Sequence, residues 1–138
     1  MDIDSPSQAF CEIPHSADIA IEVIGETLNE LFIYAADGLC HAMDLEISPN
    51  QTVEKEMKIT ECDIESLLVA FLSELIYEAE KGTCFRVIEM VAGENELHAK
   101  LAGFSIIRQK REIKAATYHN LSIQFDGKKW HTQIIFDV

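Results

Sequence analysis

Four places in the chain carry side chains able to do chemistry. The first is Pro14-His15-Ser16-Ala17-Asp18, a polar group wedged between two apolar segments. Asp is disfavoured in strands, so Asp18 at the mouth of one is either a turn residue or a ligand, and on spacing alone the turn is the simpler reading. The second is Ile134-Ile135-Phe136-Asp137-Val138, where three large apolar residues lead to the last two positions. Chain ends fray unless tied down; a strand anchored this way holds the Asp137 carboxylate close to the main-chain carboxylate of Val138. Such neighbours repel one another unless a cation sits between them, and an all-oxygen set suits a hard ion such as Ca²⁺ or Mg²⁺. A solvated Asp137 remains the plainer reading on composition. The third place, Lys114-Ala115-Ala116-Thr117-Tyr118-His119, alternates as a half-exposed strand, with Ile113, Ala115 and Thr117 on one face and Lys114, Ala116 and Tyr118 on the other. The small Ala116 is expected to leave room between Lys114 and Tyr118. Finally, Cys11, His15 and His119 supply the types for a nucleophile and base, but nothing in their spacing joins them, so no catalytic residue is expected.

The chain that must position these groups has 138 residues, 48% of them hydrophobic, enough for one domain with a core of its own and too short for two ordinary ones. Eleven Lys and Arg against twenty-four Asp and Glu leave a formal charge of −13. That balance argues against a phosphate-gripping surface, since nucleic-acid affinity rests on cationic neutralisation; a basic protein partner or a bound cation fits it better. No apolar stretch approaches the ~20 residues of a membrane span. Residues 1–9 are acidic and polar, lack the form of a secretory signal, and read as a flexible lead-in to one domain over 10–138. The six glycines are scattered, without a P-loop or a Gly-x-Gly-x-x-Gly turn. Cys11, Cys40, Cys62 and Cys84 form no Cys-x-x-Cys pair and each has apolar neighbours, so they read as reduced, structural thiols of a cytoplasmic protein.

Periodicity orders the elements. Short strands are expected over 10–14 and 18–24, ending at Gly25. Thr27-Leu28-Asn29-Glu30 has the form of a capping box opening a helix with Leu28, Leu31, Phe32, Ala35, Leu39 and Ala42 on one face. Ser48-Pro49-Asn50 reads as a turn before a strand over 52–60. Asp63 caps a second helix ended by Gly82, whose Glu65, Glu74 and Glu78 read as a solvated face. Strands over 85–91 and 96–102 flank the turn Gly93-Glu94-Asn95, and three more follow over 113–119, 121–125 and from 130 onward. Helices in the first half and hairpins in the second predict an α+β fold, two helices packed on one face of a mainly antiparallel sheet.

At these residues the sequence resembles the archease family. Its opening pattern, His-Thr-Ala-Asp before a strand, stands here as His15-Ser16-Ala17-Asp18-Ile19-Ala20-Ile21. Its signature Lys-Ala-x-Thr-Tyr-His stands as Lys114-Ala115-Ala116-Thr117-Tyr118-His119, and its closing Asp plus aliphatic residue as Asp137-Val138. Gly25, Thr27-Leu28-Asn29-Glu30-Leu31-Phe32 and the helix from Asp63 to Glu78 also match; Ser16 and Ala20 depart from the usual Thr and Gly, and the segment from Gly103 to Lys114 is short. The resemblance implies an accessory protein that activates an RtcB-type RNA ligase in tRNA splicing, promoting its guanylylation and repeated turnover. It also implies a divalent cation, foremost Ca²⁺, on Asp18, Asp137 and Val138, with Lys114, His15 and Tyr118 as candidate contacts to the ligase. The contrasting reading is a general protein-interaction or chaperone-like domain with no ligase role.

Overall fold

The computed structural model describes residues 10–13 and 18–138; the expected lead-in over 1–9 and His15 lie outside the described residues. The chain runs β1 (Phe10–Ile13), β2 (Ile19–Gly25), α1 (Leu28–Met43), β3 (Leu45–Thr60), α2 (Ile64–Glu80), β4 (Thr83–Ala92), β5 (Glu96–Gln109), β6 (Ala115–Ala116), β7 (Gln124–Phe125) and β8 (Trp130–Asp137). Two helices and wholly antiparallel pairing give the expected α+β class. The strands divide between two sheets. One has the order β1-β2-β8-β6, with β7 also on β8; the other is β3-β5-β4.

Local chemistry sets the helix ends. The Thr27 hydroxyl accepts from the Glu30 amide at 3.1 Å, and the Glu30 carboxylate reaches back to the Glu26 amide at 2.9 Å, one residue earlier than the standard box. Asp63 accepts from the Ser66 amide at 2.7 Å, and this bond is the main reason its carboxyl is held below the ordinary Asp value. Gly82, at φ 101°, ends α2 in a conformation that costs other residues strain.

The helices pack their apolar faces against both sheets, α1 on β1, β2, β8 and β4, and α2 on β3, β4, β5 and β6. Phe32 of α1 and Phe71 of α2 meet at 6.2 Å between ring centroids, surrounded by Leu31, Leu67, Leu72, Leu101 and Phe136, all fully buried. Each such side chain stabilises the fold by about 1.5–3 kcal/mol relative to exposure. Gly38, a weak point for a helix by propensity, suits this packing: a Cβ there would meet Ile21 Cδ1 at 2.6 Å, and the end of that buried side chain would have to shift.

Three local expectations change. Ser48-Pro49-Asn50 lies inside the long strand β3, where the register to β5 shifts between Ile47 and Gln51 and again before Val53. β3 is an edge strand, and an irregularity there accommodates a proline that cannot donate to a ladder. Strands expected over 113–119 and 121–125 shrink to Ala115–Ala116 and Gln124–Phe125. Between them the backbone bonds to side chains: the Ile123 amide donates to Glu65 at 3.0 Å, and the buried Thr132 hydroxyl donates to the Ser122 carbonyl at 2.9 Å. Glu65 therefore braces a loop, and Glu78 is buried against Lys55 at 2.6 Å, so only Glu74 of the three is a simple exposed carboxylate.

Candidate functional site

β8 is the strand that carries Asp137 outward. Ile134, Ile135 and Phe136 are all but fully buried, which anchors it as their sequence predicts. β2 flanks it on one side, from Gly25 opposite Trp130 to Ile19 opposite Phe136. Continuing that antiparallel register by one residue sets Asp18 opposite Asp137. On the other side β6 places Ala115 opposite Asp137, and the Lys114 amide donates to the Asp137 carbonyl at 2.7 Å. The Ile135 carbonyl accepts twice from Thr117, from its amide at 3.0 Å and its hydroxyl at 2.9 Å. Asp18, Asp137, Val138 and Lys114 thus occupy one end of one sheet, with Asp18 half-buried and the other three exposed.

The face assignment in the third motif is corrected. Ala116 is buried opposite Phe136, and Ile113 joins the same core. Ala116 therefore does not share a surface with exposed Lys114 and Tyr118, and the open space expected beside it is filled by core. With only two residues on the ladder, strict alternation has no length over which to act. Tyr118 is 59% exposed and its carbonyl receives the Leu121 amide in a turn through Asn120 at φ 54°.

Nucleophilic chemistry finds no assembly. Cys11 lies on the edge strand β1 and His119 three residues beyond β6, at opposite edges of the order β1-β2-β8-β6. Three strand spacings, about 14 Å, lie between those edges. Among the described residues no three His, Cys, Asp or Glu side chains are grouped so as to hold a metal ion. The carboxylate end of the sheet offers two aspartates, with the main chain of Val138 as the only further oxygen donor named from the sequence.

Two contacts escaped the sequence reading because their partners lie far apart in the chain. Cys40 of α1 and Cys84 of β4 bring their sulfurs to 3.6 Å, and Asp37 and Arg86 pair across the same two elements at 3.7 Å. Burial raises the Asp37 carboxyl, and Arg86 opposes that rise. Cys11 and Cys62, expected among apolar side chains, are exposed.

The archease protein family model matches residues 10–138. The chain belongs to the archease family. An archease from Methanosarcina mazei is 34% identical, covering 96% of this chain and 99% of its own. One from Pyrococcus abyssi is 35% identical over 90% and 94%. A crystal structure from Thermotoga maritima, described as an archease and possible chaperone, is similar at a TM-score of 0.69 and 29% identity, covering all of this chain and 99% of that one. A solution structure of a Methanobacterium thermoautotrophicum protein shares the fold at a TM-score of 0.71 and 23% identity, covering 95% and 99%. Among the described residues no helix is long and apolar enough to cross a membrane.

Proposed function

We propose that this archease-family chain is a non-enzymatic protein cofactor of an RtcB-type RNA ligase in tRNA splicing, raising the ligase's guanylylation and number of turnovers in the cytoplasm. The observation that carries the reading is the register that sets Asp18 opposite Asp137 at the end of β2 and β8. Asp18 and Asp137, with the carboxylate of Val138, are the residues that would hold a divalent cation, Ca²⁺ before Mg²⁺. The donor chemistry fits: all are hard oxygens, and carboxylates facing one another repel without a cation. When bound, the ion supplies a positive centre that neutralises this end of the sheet. Lys114, exposed at that end, and Tyr118, exposed four residues further along the chain, are the contacts offered to the ligase, with His15 a third. The −13 charge favours a cationic protein surface and disfavours direct RNA binding.

The test is multiple-turnover RNA ligation by the cognate ligase with GTP and Mg²⁺, with this chain added substoichiometrically. A clear rise in turnovers supports the reading. An unchanged ligase overturns it and leaves a general interaction domain.

A further inference from the structure

Cys40 lies in the last turns of α1 and Cys84 is the second residue of β4. Their Sγ atoms are 3.6 Å apart, close enough for one thiol to donate to the other. Both line a cavity of about 360 Å³ together with Asp37, His41 and Arg86, so the pair borders open space. Cys84 is buried and Cys40 half-buried. The remaining cysteines stand differently: Cys11 Sγ donates to the Glu12 carbonyl and Cys62 Sγ to Asp63, each at 3.6 Å, and both are exposed.

We propose that Cys40 and Cys84 form a reversible oxidation site, which a hydroperoxide converts into a disulfide joining α1 to β4. The hydrogen bond from Cys40 pulls the Cys84 thiol below its ordinary value, and Arg86 acts in the same direction against burial. The same bond and burial push Cys40 well up. Either sulfur can attack first with the other resolving, since each is the hydrogen-bond partner of the other and the thiolate is the nucleophile; the steps with Cys84 attacking balance equally with the two exchanged.

The steps balance with one hydroperoxide. The Cys84 thiolate attacks a peroxide oxygen, the O–O bond breaks, and hydroxide (or alkoxide) leaves, taking a proton. Cys84 is oxidised to a sulfenic acid. Cys40 then attacks that sulfur as its own proton passes to solvent; the S–S bond forms, the S–O bond breaks, and the departing hydroxide is protonated to water. Two thiols and hydrogen peroxide become one disulfide and two waters. The sulfurs must close from 3.6 Å to about 2.05 Å. A dithiol reductant reverses the change by exchange.

The test uses the full chain carrying Cys11→Ser and Cys62→Ser, two exposed positions, exposed to a few equivalents of hydrogen peroxide. Titratable thiols are expected to fall from two to none per chain, with a mass loss of about 2 Da and a linked Cys40–Cys84 peptide in a non-reducing digest. Dithiothreitol restores both thiols. Should that variant misfold, digestion of the oxidised wild-type chain seeks the same linked peptide. Thiols that persist, oxygen added to one cysteine without a link, or links only between chains would overturn the proposal.

Discussion

The Lys114 amide and the Asp137 carbonyl are joined by a 2.7 Å hydrogen bond, a backbone tie between the Lys-Ala-Ala-Thr-Tyr-His motif and the end of β8. The bond is made by the main chain, so it positions both residues whatever side chain stands at 114. The Lys114 side chain is left exposed. Position and chemistry are thereby separable.

Lys114→Ala should accordingly leave the fold intact, within about 0.5 kcal/mol by urea unfolding. Under the proposed function it should lower the ligase's turnover number. A variant that unfolds early would show that the side chain is structural; one that activates fully would remove Lys114 from the contact surface.

Calcium titration by calorimetry should report one site per chain. Asp18→Ala and Asp137→Ala should each weaken it by about tenfold or more, because affinity in oxygen sites follows ligand charge and number. A residue added after Val138 displaces the carboxylate and should weaken the site as well. Binding that ignores the extension would take Val138 out of the ligand set.

Association with the ligase should weaken as salt is raised from about 0.05 to about 0.5 M, since screening lengths shrink below typical charge separations. The expected change is mainly in the association rate. A salt-insensitive complex would mean that the −13 charge serves solubility alone.

Glu78 is 12% exposed and bonded to Lys55 at 2.6 Å, with Lys81 at 3.6 Å. The Lys55 hydrogen bond, more than its charge, holds the Glu78 carboxyl below 4.5, its ordinary value. A depressed folded-state value means the pair's contribution is complete above 4.5 and is lost as pH falls through the lower, folded-state value. Lys55→Met should destabilise by about 1–3 kcal/mol at pH 7, between the figures for exposed and buried pairs. The gap to wild type should narrow once the pH has fallen below the folded-state value, where Glu78 is protonated in both states. Urea midpoints at the two pH values decide it, and a constant gap would assign the loss to packing.

Gly25→Ala should cost about 1–3 kcal/mol, as overpacking does. A Cβ at this position meets the Leu31 nitrogen at 2.6 Å, and backbone in the first turn of α1 has little freedom to retreat. A thermal midpoint equal to wild type would show that β2 and α1 can separate there.

Much of the fold was legible because its signals are local. Thr27, Glu30 and Asp63 carry their capping chemistry in the residue type, and Gly82 supplies the positive φ that ends α2. The hairpin of β4 and β5 follows from two apolar runs about Gly93-Glu94-Asn95. The motifs bearing Asp18, Lys114 and Asp137 were equally visible, as residue types at set positions.

Their relation was not visible. No periodicity in the chain says that β2 and β6 flank opposite sides of β8, and only that order sets Asp18 and Lys114 on either side of Asp137. The Ser48-Pro49-Asn50 irregularity, read locally as a turn, is absorbed because β5 pairs with β3 on both sides of it. Ala116 faces the core because Phe136 stands opposite, and Cys40 reaches Cys84 because α1 packs on β4. Helix caps, turns and apolar stripes depend on neighbours within a few residues, so the sequence alone determined them. Sheet order, register and the thiol pair depend on distant partners, 115 residues apart for Ala20 and Ile135 and 44 for Cys40 and Cys84, and only the packed chain chose among them.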